Sequence, residues 1–506
     1  MLDRRTFFET AAAALLAAQI PSSKSSSLRS VRTDRLNQGP FPIEQDQGWQ
    51  TILYTTPSTA HIRNPGLGLV GYTWEENGPA IAVREGRISL EKNIEALASL
   101  PFVDVLYIRC DWRDVQSRPG RLDLAPVWQL TLDAARRYNL RAAFRIQMST
   151  PERQPKQLAM PDFVSGKVPL VPIGEIPHEP GVHYREPRYD DPFFQSSWRE
   201  LNDLLAARFD GDPLIEWVDL MQYGFWGEGH TSRYPSPFPS RETARRVFLS
   251  MTGHQLATWK RTPLAVNTQP DISQVGNDSV IAEAIRAGCW LRSDSIIVEE
   301  PVQIDRIASR PPHLAAILED GYLRSYDTSK LPVDTAGVNE LENFMLHTLD
   351  LRANFWSLWT EVEHLRSYNE RFPRGFATLQ QQLGYRLRPA WVWQRKRDGS
   401  PEIIVAIANR GVAGVPGVLH LRLATPDGRV RLQGTLDPGE PAGNTTRLAA
   451  FRLEGYVPEL KLSAAIETRP GIIRPIIFAS EQPSNPDGSM AIHLKSPGDK
   501  GWRKGI

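Results

Sequence analysis

Two glutamates in this sequence, Glu228 and Glu319, lie 91 residues apart, and each follows a strongly apolar run. Glu228 stands between Gly227 and Gly229 in the phrase GFWGEGHTS. Two carboxyl groups on opposite sides of a glycosidic bond can cleave it, because one protonates the leaving oxygen while the other attacks the anomeric carbon or activates water. The pair therefore favours Glu228 and Glu319 as the two carboxyl groups of such a cleavage.

The elements that must position these glutamates alternate between strand-like and helix-like segments from residue 64 to about residue 382. Eight strands, most of them followed by a helix, predict a (β/α)8 TIM barrel. A barrel unit takes ~31 residues, so the two glutamates are about three units apart and face each other across the barrel mouth. The predicted strands are 66–74, 103–112, 141–149, 215–227, 263–269, 293–298, 313–318 and 354–359. A doubly wound sheet is the alternative, but no glycine-rich phosphate loop follows the first strand.

Three regions follow from the composition along the chain. Residues 1–40 are predicted to be an export signal and a disordered leader, 41–382 the barrel, and 383–506 a β-sandwich domain with a tail. The last region has short strands separated by Gly, Pro and Asp turns, which is typical of an antiparallel sandwich. A Pro-rich insertion at 150–192 accounts for the extra length of the barrel.

The N-terminus resembles a twin-arginine signal, because Arg4 and Arg5 precede Thr6, two phenylalanines and a short alanine-rich run. That run is too short to span a bilayer, which takes ~20 apolar residues. We therefore expect a periplasmic or secreted protein whose mature chain has no integral membrane segment. An amphipathic N-terminal helix is the alternative.

Further candidates are the polar and aromatic residues that follow the predicted strands, since barrel chemistry lies at the C-terminal ends of strands. Amides, tryptophans and an arginine in this position are typical of a sugar cleft. The predicted substrate-binding residues are Trp74, Arg109, Trp112, Gln147, Trp226, His230, Asn267, Gln269, Tyr322 and Trp359. Glu299, Glu300 and Glu361 remain alternatives for the nucleophile.

Composition excludes several other classes of function. The chain has 59 basic and 58 acidic residues, so it carries no basic excess that would attract nucleic acid. Its two cysteines provide no disulfide framework. The phrase HEPGVH does not have zinc-ligand spacing, and no phosphate-binding glycine loop is present. We therefore expect neither a metal nor another cofactor.

The phrases NPGLGLVGYTW, YIRCDWRDVQSRPGRLDL and GFWGEGHTS resemble segments of the retaining glycoside hydrolase barrels, especially β-galactosidase-like and endoglucanase-like members. GEG, together with NRG in the sandwich, also resembles a family of exported bacterial proteins of unknown function that pair a barrel with a sandwich. The resemblance spans most of residues 60–480. It implies an acid/base at Glu228 and a nucleophile at Glu319, although the acid/base of the known hydrolases usually follows Asn and here follows Gly227.

Two functions from different classes remain. The first is an exported glycoside hydrolase that acts on an oligo- or polysaccharide. The second is a non-catalytic carbohydrate-binding or cell-surface protein built on a hydrolase-like barrel. The spacing of the two glutamates favours the enzyme, whereas the missing Asn favours the binding protein. Two carboxyl groups that meet in the barrel mouth would favour the glycoside hydrolase.

Overall fold

The computed structural model describes residues 34–35, 49–74, 80–175, 181–229, 237–268, 277–294, 296, 299–320 and 340–496. Three of the predicted site residues, His230, Gln269 and Tyr322, lie outside the described residues.

Eight parallel strands close into a barrel in which each strand pairs with its neighbours in chain order and the eighth pairs with the first. The (β/α)8 prediction is confirmed. The strands, numbered one to eight along the chain, are Gly68–Trp74, Val105–Asp111, Arg141–Gln147, Ile215–Asp219, Leu264–Asn267, Trp290–Ser293, Ala316–Asp320 and Phe355–Leu358.

Helices surround the barrel and bury one apolar face each against it. Ser89, Asp191 and Ser240 cap three of them by accepting hydrogen bonds from backbone N–H groups of the first turn. The longer helices are Leu90–Ala98, Pro126–Arg137, Pro192–Phe209, Arg241–Thr258, Asn277–Arg286, Pro301–Ala308, Glu340–Asp350, Val362–Arg371 and Pro373–Gln382. The insertion contains a two-stranded hairpin of Leu170–Gly174 and Tyr184–Pro187.

Two strand predictions were wrong in their bounds, and both errors concern the mouth of the barrel. Strand six is Trp290–Ser293 and not 293–298, because its buried Arg292 interrupts the apolar pattern that the prediction followed. Strand four ends at Asp219, eight residues before Gly227, so Glu228 lies on the loop after the strand. The residues at these two strand ends are therefore different from those expected.

The interior of the barrel is apolar and aromatic on its N-terminal side. Trp217 stacks near Tyr107 and contacts Phe355 at a centroid distance of 4.9 Å. Charged side chains follow at the C-terminal ends of the same strands. The barrel is thus a packed core beneath a polar mouth, as expected for this fold.

The C-terminal domain consists of two antiparallel sheets around one core, which confirms the predicted sandwich. The sheet order is Asp34–Arg35, Thr446–Arg452, Ser400–Asn409, Leu387–Arg397 and Gln50–Tyr54 in one sheet. The other sheet contains Arg431–Thr435, Val418–Ala424, Glu459–Arg469 and Ile472–Ile476, with Met490–His493 on Glu459–Arg469. Leu419, Leu421 and Leu423 alternate into the core with the period of two that a strand imposes.

The sandwich packs against the N-terminal face of the barrel, away from its mouth. Arg474 donates to Glu216 and to the carbonyl oxygen of Ile215, both at 2.8 Å, where strand four begins. Tyr385 donates to the carbonyl oxygen of Pro65 at 2.6 Å just before strand one. Gln50–Tyr54 lies within the range assigned to the barrel from sequence, yet it pairs with a sandwich strand.

Candidate active site

Charged side chains from strands two, three, four, six and seven converge on the axis of the barrel at its C-terminal end. All of those placed on the strands themselves are nearly inaccessible to solvent, with exposed fractions of 0 to 4%. They are Arg109, Arg145, Asp219, Arg292 and Glu319. Buried charges require partners, and each of these is paired with another member of the group or with Glu228.

Glu228 is held by a tight loop of left-handed residues. Gly224, Gly227 and Gly229 have φ values of 79°, 70° and 79°, and Trp226 has a φ of 59°. A side chain is strained in this backbone region, which explains the glycines on both sides of the glutamate. Gly229 further closes the loop by donating its N–H to the carbonyl oxygen of Tyr223 at 3.0 Å.

Two arginines hold the carboxylate of Glu228. Oε1 accepts a hydrogen bond from Arg145 Nη1 at 2.8 Å and from Arg109 Nη1 at 3.3 Å. The glutamate is 3% exposed, so these contacts are shielded from water and strong. Both arginines favour the ionised form of the carboxyl group.

A fourth carboxyl group, Asp294, forms a hydrogen bond with Glu228. Asp294 directly follows strand six and is half-buried. Burial, and then the negative charge of Glu228, raises the pKa of Asp294 to about 7. A hydrogen bond between two carboxyl groups needs one proton, and the arginines on Glu228 place that proton on Asp294 near neutral pH.

Glu319 lies on strand seven, where the sequence predicted the second carboxylate. Arg292 from the neighbouring strand six forms an ion pair with its Oε2, and Arg292 also donates to the hydroxyl of Tyr72 at 2.7 Å. Burial raises the pKa of Tyr72, so this phenol stays protonated. Glu319 is therefore held as a buried carboxylate by a guanidinium group.

Asp219 connects the two glutamates. Its Oδ2 accepts from Arg145 Nε at 3.3 Å and lies 3.7 Å from Arg292 Nη1, while its Oδ1 accepts from Trp217 Nε1 at 3.0 Å. Arg145 continues to Glu228, and Arg292 continues to Glu319. The described mouth is thus one network in which ionised carboxylates alternate with arginines.

The structure brings some of the predicted substrate-binding residues to this network. Arg109 pairs with Glu228, as described above. Asn267 ends strand five and is buried two residues after the inward-facing Ala265. Trp226 places its carbonyl oxygen 3.2 Å from Arg145 Nη1. Trp359 packs on the aromatic interior just after strand eight.

Gln147 also ends a strand beside the network, but its amide is used within the protein. It donates to Asp111 Oδ1 at 2.7 Å, and Arg153 binds the other oxygen of the same carboxylate. Burial raises the pKa of Asp111 to about 6, although the charge of Arg153 opposes the shift. The amide of Gln147 is thus bound to Asp111, at the end of strand two.

Two predicted residues lie away from the network. Trp112 is fully buried in the helical layer, where its indole N–H donates to Gln116 at 2.8 Å and its ring packs edge-on against Phe194. Trp74 lies at the end of strand one beside Leu90 and Pro126, at the start of two outer helices. An aromatic residue after a strand can belong to the outer layer, because the strand twists and its successive side chains point to opposite faces of the sheet.

The alternative nucleophiles do not join the network in the described structure. Glu299 contacts residues outside the network: it accepts a hydrogen bond from Ser293 at 3.1 Å and lies 3.3 Å from His347. Glu300 is exposed at the start of a helix. Glu361 pairs with Arg87 at 3.2 Å.

Sequence reasoning missed Arg145, Asp219, Arg292 and Asp294. Arg145 and Asp219 each occur two residues after an inward apolar residue, Ala143 and Trp217, so a period of two within the strands would have placed them inside. Asp294 was missed because strand six was predicted three residues too late, which moved the expected strand end to Glu299.

Within the described residues, no group of three or more His, Cys, Asp or Glu side chains is arranged to hold a metal ion. Among the described helices, none has both the length and the apolar character needed to cross a bilayer.

The fold is a (β/α)8 TIM barrel whose mouth holds a cluster of buried carboxylates and arginines. No family model matches the chain. No curated protein sequence matches it.

Several solved structures resemble it and are glycoside hydrolases by name. An endogalactoceramidase is 15% identical with a TM-score of 0.39, covering 79% of this chain and 99% of its own. An exo-β-1,4-mannosidase from Opitutaceae bacterium strain TAV5 is 13% identical with a TM-score of 0.36, covering 65% and 58%. A β-galactosidase from Rahnella sp. R3 is 12% identical with a TM-score of 0.39, covering 64% and 57%. Likenesses this weak carry no argument about activity.

Proposed function

We propose that this protein is a glycoside hydrolase that cleaves an oligo- or polysaccharide in the mouth of its barrel. The observation that carries the proposal is a network of buried charges that joins the Glu228–Asp294 pair to the arginine-held Glu319 through Asp219. Glycoside cleavage needs one carboxyl group that keeps a proton near neutral pH and one that stays ionised. The Glu228–Asp294 pair and the ion pair of Glu319 with Arg292 support this assignment.

The proton donor is the Glu228–Asp294 pair. A general acid works best when its pKa lies near the working pH, and burial raises the pKa of Asp294 to about 7. The pair first donates its proton to the leaving oxygen and later accepts a proton from water. Glu228 can pass this proton on because it is hydrogen-bonded to Asp294. Arg109 and Arg145 compensate the negative charge that develops on the pair.

Glu319 is the nucleophile, and the reaction retains the anomeric configuration. Arg292 forms an ion pair with Glu319, and a neighbouring cation favours the charged form of a carboxyl group. Its attack on the anomeric carbon forms a glycosyl ester as the leaving oxygen takes the proton, and water then cleaves that ester. Asn267, Trp226 and Trp359, which lie beside the network, are the residues we propose to bind the sugar.

A panel of aryl glycosides and oligosaccharides tests this function. We expect purified wild-type protein to hydrolyse at least one member and Glu319→Gln to be inactive while remaining folded. Glu361→Gln is the matched control, because Glu361 pairs with Arg87 outside the network, and it should keep full activity. If the wild type hydrolyses nothing but binds oligosaccharides, the non-catalytic binding protein becomes the better account.

We also propose export of the folded protein by the twin-arginine route. The support is the sequence Arg4-Arg5 before a short apolar run. Replacing both arginines by lysine should retain the protein in the cytoplasm of its host. Unchanged export of that variant would reject the proposal.

A further inference from the structure

A cavity of about 360 Å³ lies at the junction of the two domains, remote from the barrel mouth. One wall is the end of the helix Pro373–Gln382, which returns from strand eight to the N-terminal face of the barrel. Residues 57–59 form a second wall, and the outer face of the strand Leu387–Arg397 forms the third. Three arginines line this cavity: Arg386, Arg388 and Arg410.

The three arginines carry positive charge into the cavity without a carboxylate to balance it. Arg386 and Arg388 are 6% and 5% exposed. Arg386 donates only to carbonyl oxygens, those of Gln380, Ser58 and Ala60, at 2.9 to 3.3 Å. Among the described residues, none of the three arginines forms an ion pair with Asp or Glu. Buried cations normally have such a partner.

Arg388 has remaining hydrogen-bonding capacity. Its Nη1 donates to the carbonyl oxygen and hydroxyl of Thr55 at 2.6 and 3.1 Å, while its buried Nε has no partner within the described structure. Burial, and then the charge of Arg410, lowers the pKa of Arg388. An unsatisfied buried N–H beside a second cation is costly, and a bound anion would remove that cost.

Arg410 completes the cavity from its open side. Its backbone N–H is fixed by the carbonyl oxygen of Arg386 at 2.9 Å, while its side chain is exposed. Asn444 and Gln382 supply neutral polar groups to the same lining. An exposed guanidinium group on a fixed backbone can pair with a small anion bidentately.

We propose that this junction cavity binds an oxyanion, phosphate or sulfate, either free or as an ester on a sugar. The cavity is larger than one such ion, so an attached sugar ring fits beside it. Arg388 and Arg410 bind the oxyanion, and Arg386 fixes the wall. Bound anion would tie the helix Pro373–Gln382 to the sandwich and stabilise the contact between the domains.

Thermal unfolding of the full chain with inorganic phosphate tests the proposal. Ligand that binds only the folded state raises the melting temperature in proportion to its occupancy. We expect phosphate to raise the melting temperature more than sodium chloride at equal ionic strength, and calorimetric titration to give one site. Arg410→Gln, an exposed change that leaves the fold intact, should weaken phosphate affinity about tenfold.

Two further variants complete the test. Arg388→Gln should also weaken the affinity, whereas Arg422→Gln, an exposed arginine on the other sheet, should not. Glucose 6-phosphate that competes with phosphate identifies a sugar ester as ligand, and failure to compete identifies the free ion; both support the site. The proposal is overturned if phosphate acts no differently from chloride, or if Arg410→Gln binds phosphate as the wild type does.

Discussion

Glu228 and Asp294 form a hydrogen-bonded carboxyl pair, although one lies on the long loop after strand four and the other directly after strand six. Two ionised carboxylates would repel each other at this distance. The pair is stable because Arg109 and Arg145 favour charge on Glu228 and burial favours a proton on Asp294. This asymmetry leads to a prediction about pH.

The proposed acid should limit activity on the alkaline side. Since burial raises the pKa of Asp294 to about 7, the pair loses its proton as pH rises through that value. We expect kcat/KM to fall about tenfold per pH unit above pH about 7. Asp294→Asn should lower the rate about 10²-fold and remove this alkaline limb.

The control for the pH profile is Glu300→Gln, since Glu300 is exposed outside the network. Its profile should match that of the wild type. If Asp294→Asn kept the same alkaline limb, another group would be the acid.

Asp219 should be important for stability as well as for the geometry of the mouth. Asp219→Asn leaves Arg145 and Arg292 buried with less negative charge between them. Removing one member of a buried ion pair costs about 3–5 kcal/mol, so the free energy of unfolding in urea should fall by that amount. Asp133→Asn, which affects exposed contacts with Arg136 and Gln129, should change it by less than about 1 kcal/mol.

The two variants should therefore differ clearly in their urea midpoints. A change for Asp219→Asn as small as that for Asp133→Asn would mean that the network contributes nothing to stability.

Another buried carboxyl group, Glu186, lies next to the loop that holds Glu228. Ser149 and Tyr189 donate to it, and the hydroxyl of Tyr189 accepts from the N–H of Gly224 at 3.0 Å. Burial raises the pKa of Glu186 to about 7. The folded state therefore keeps a proton that the unfolded chain releases near pH 4.5.

Stability should consequently fall as pH rises from about 4.5 to about 7. One such group contributes up to ~1.4 kcal/mol per pH unit. The side chain of Glu186→Gln cannot ionise, so the free energy of unfolding of this variant should fall less steeply with pH than that of the wild type. Measuring the free energy of unfolding at pH 5 and pH 8 tests this, with the exposed Glu454→Gln as control. Equal slopes for Glu186→Gln and the wild type would contradict the prediction.

The sequence was sufficient to predict the barrel, the sandwich and Glu228 and Glu319 as acidic side chains of the mouth, because apolar periodicity and strand ends reveal them. The sequence was not sufficient to predict the ion pairs between the buried side chains of the mouth. The period of two places Arg292 and Asp219 on the inward face of their strands, but the residues they pair with lie on other strands. A local pattern contains no information on such partners.

The same limit explains the error at strand six. The apolar pattern predicts a strand at 293–298, whereas the strand in the structure is Trp290–Ser293 and contains the buried Arg292. Trp112 shows the opposite error. Its position after a strand predicts a place in the cleft, but its side chain packs in the helical layer.

Chemical rescue at Glu319 tests the central claim most directly. Glu319→Ala should not turn over an aryl glycoside that the wild type cleaves, because no carboxylate attacks the anomeric carbon. Added azide should restore turnover: its nitrogen bonds to that carbon as the aryloxide leaves, and NMR should show a glycosyl azide of inverted configuration. Full activity of Glu319→Ala without azide, or no glycosyl azide with it, would contradict the account.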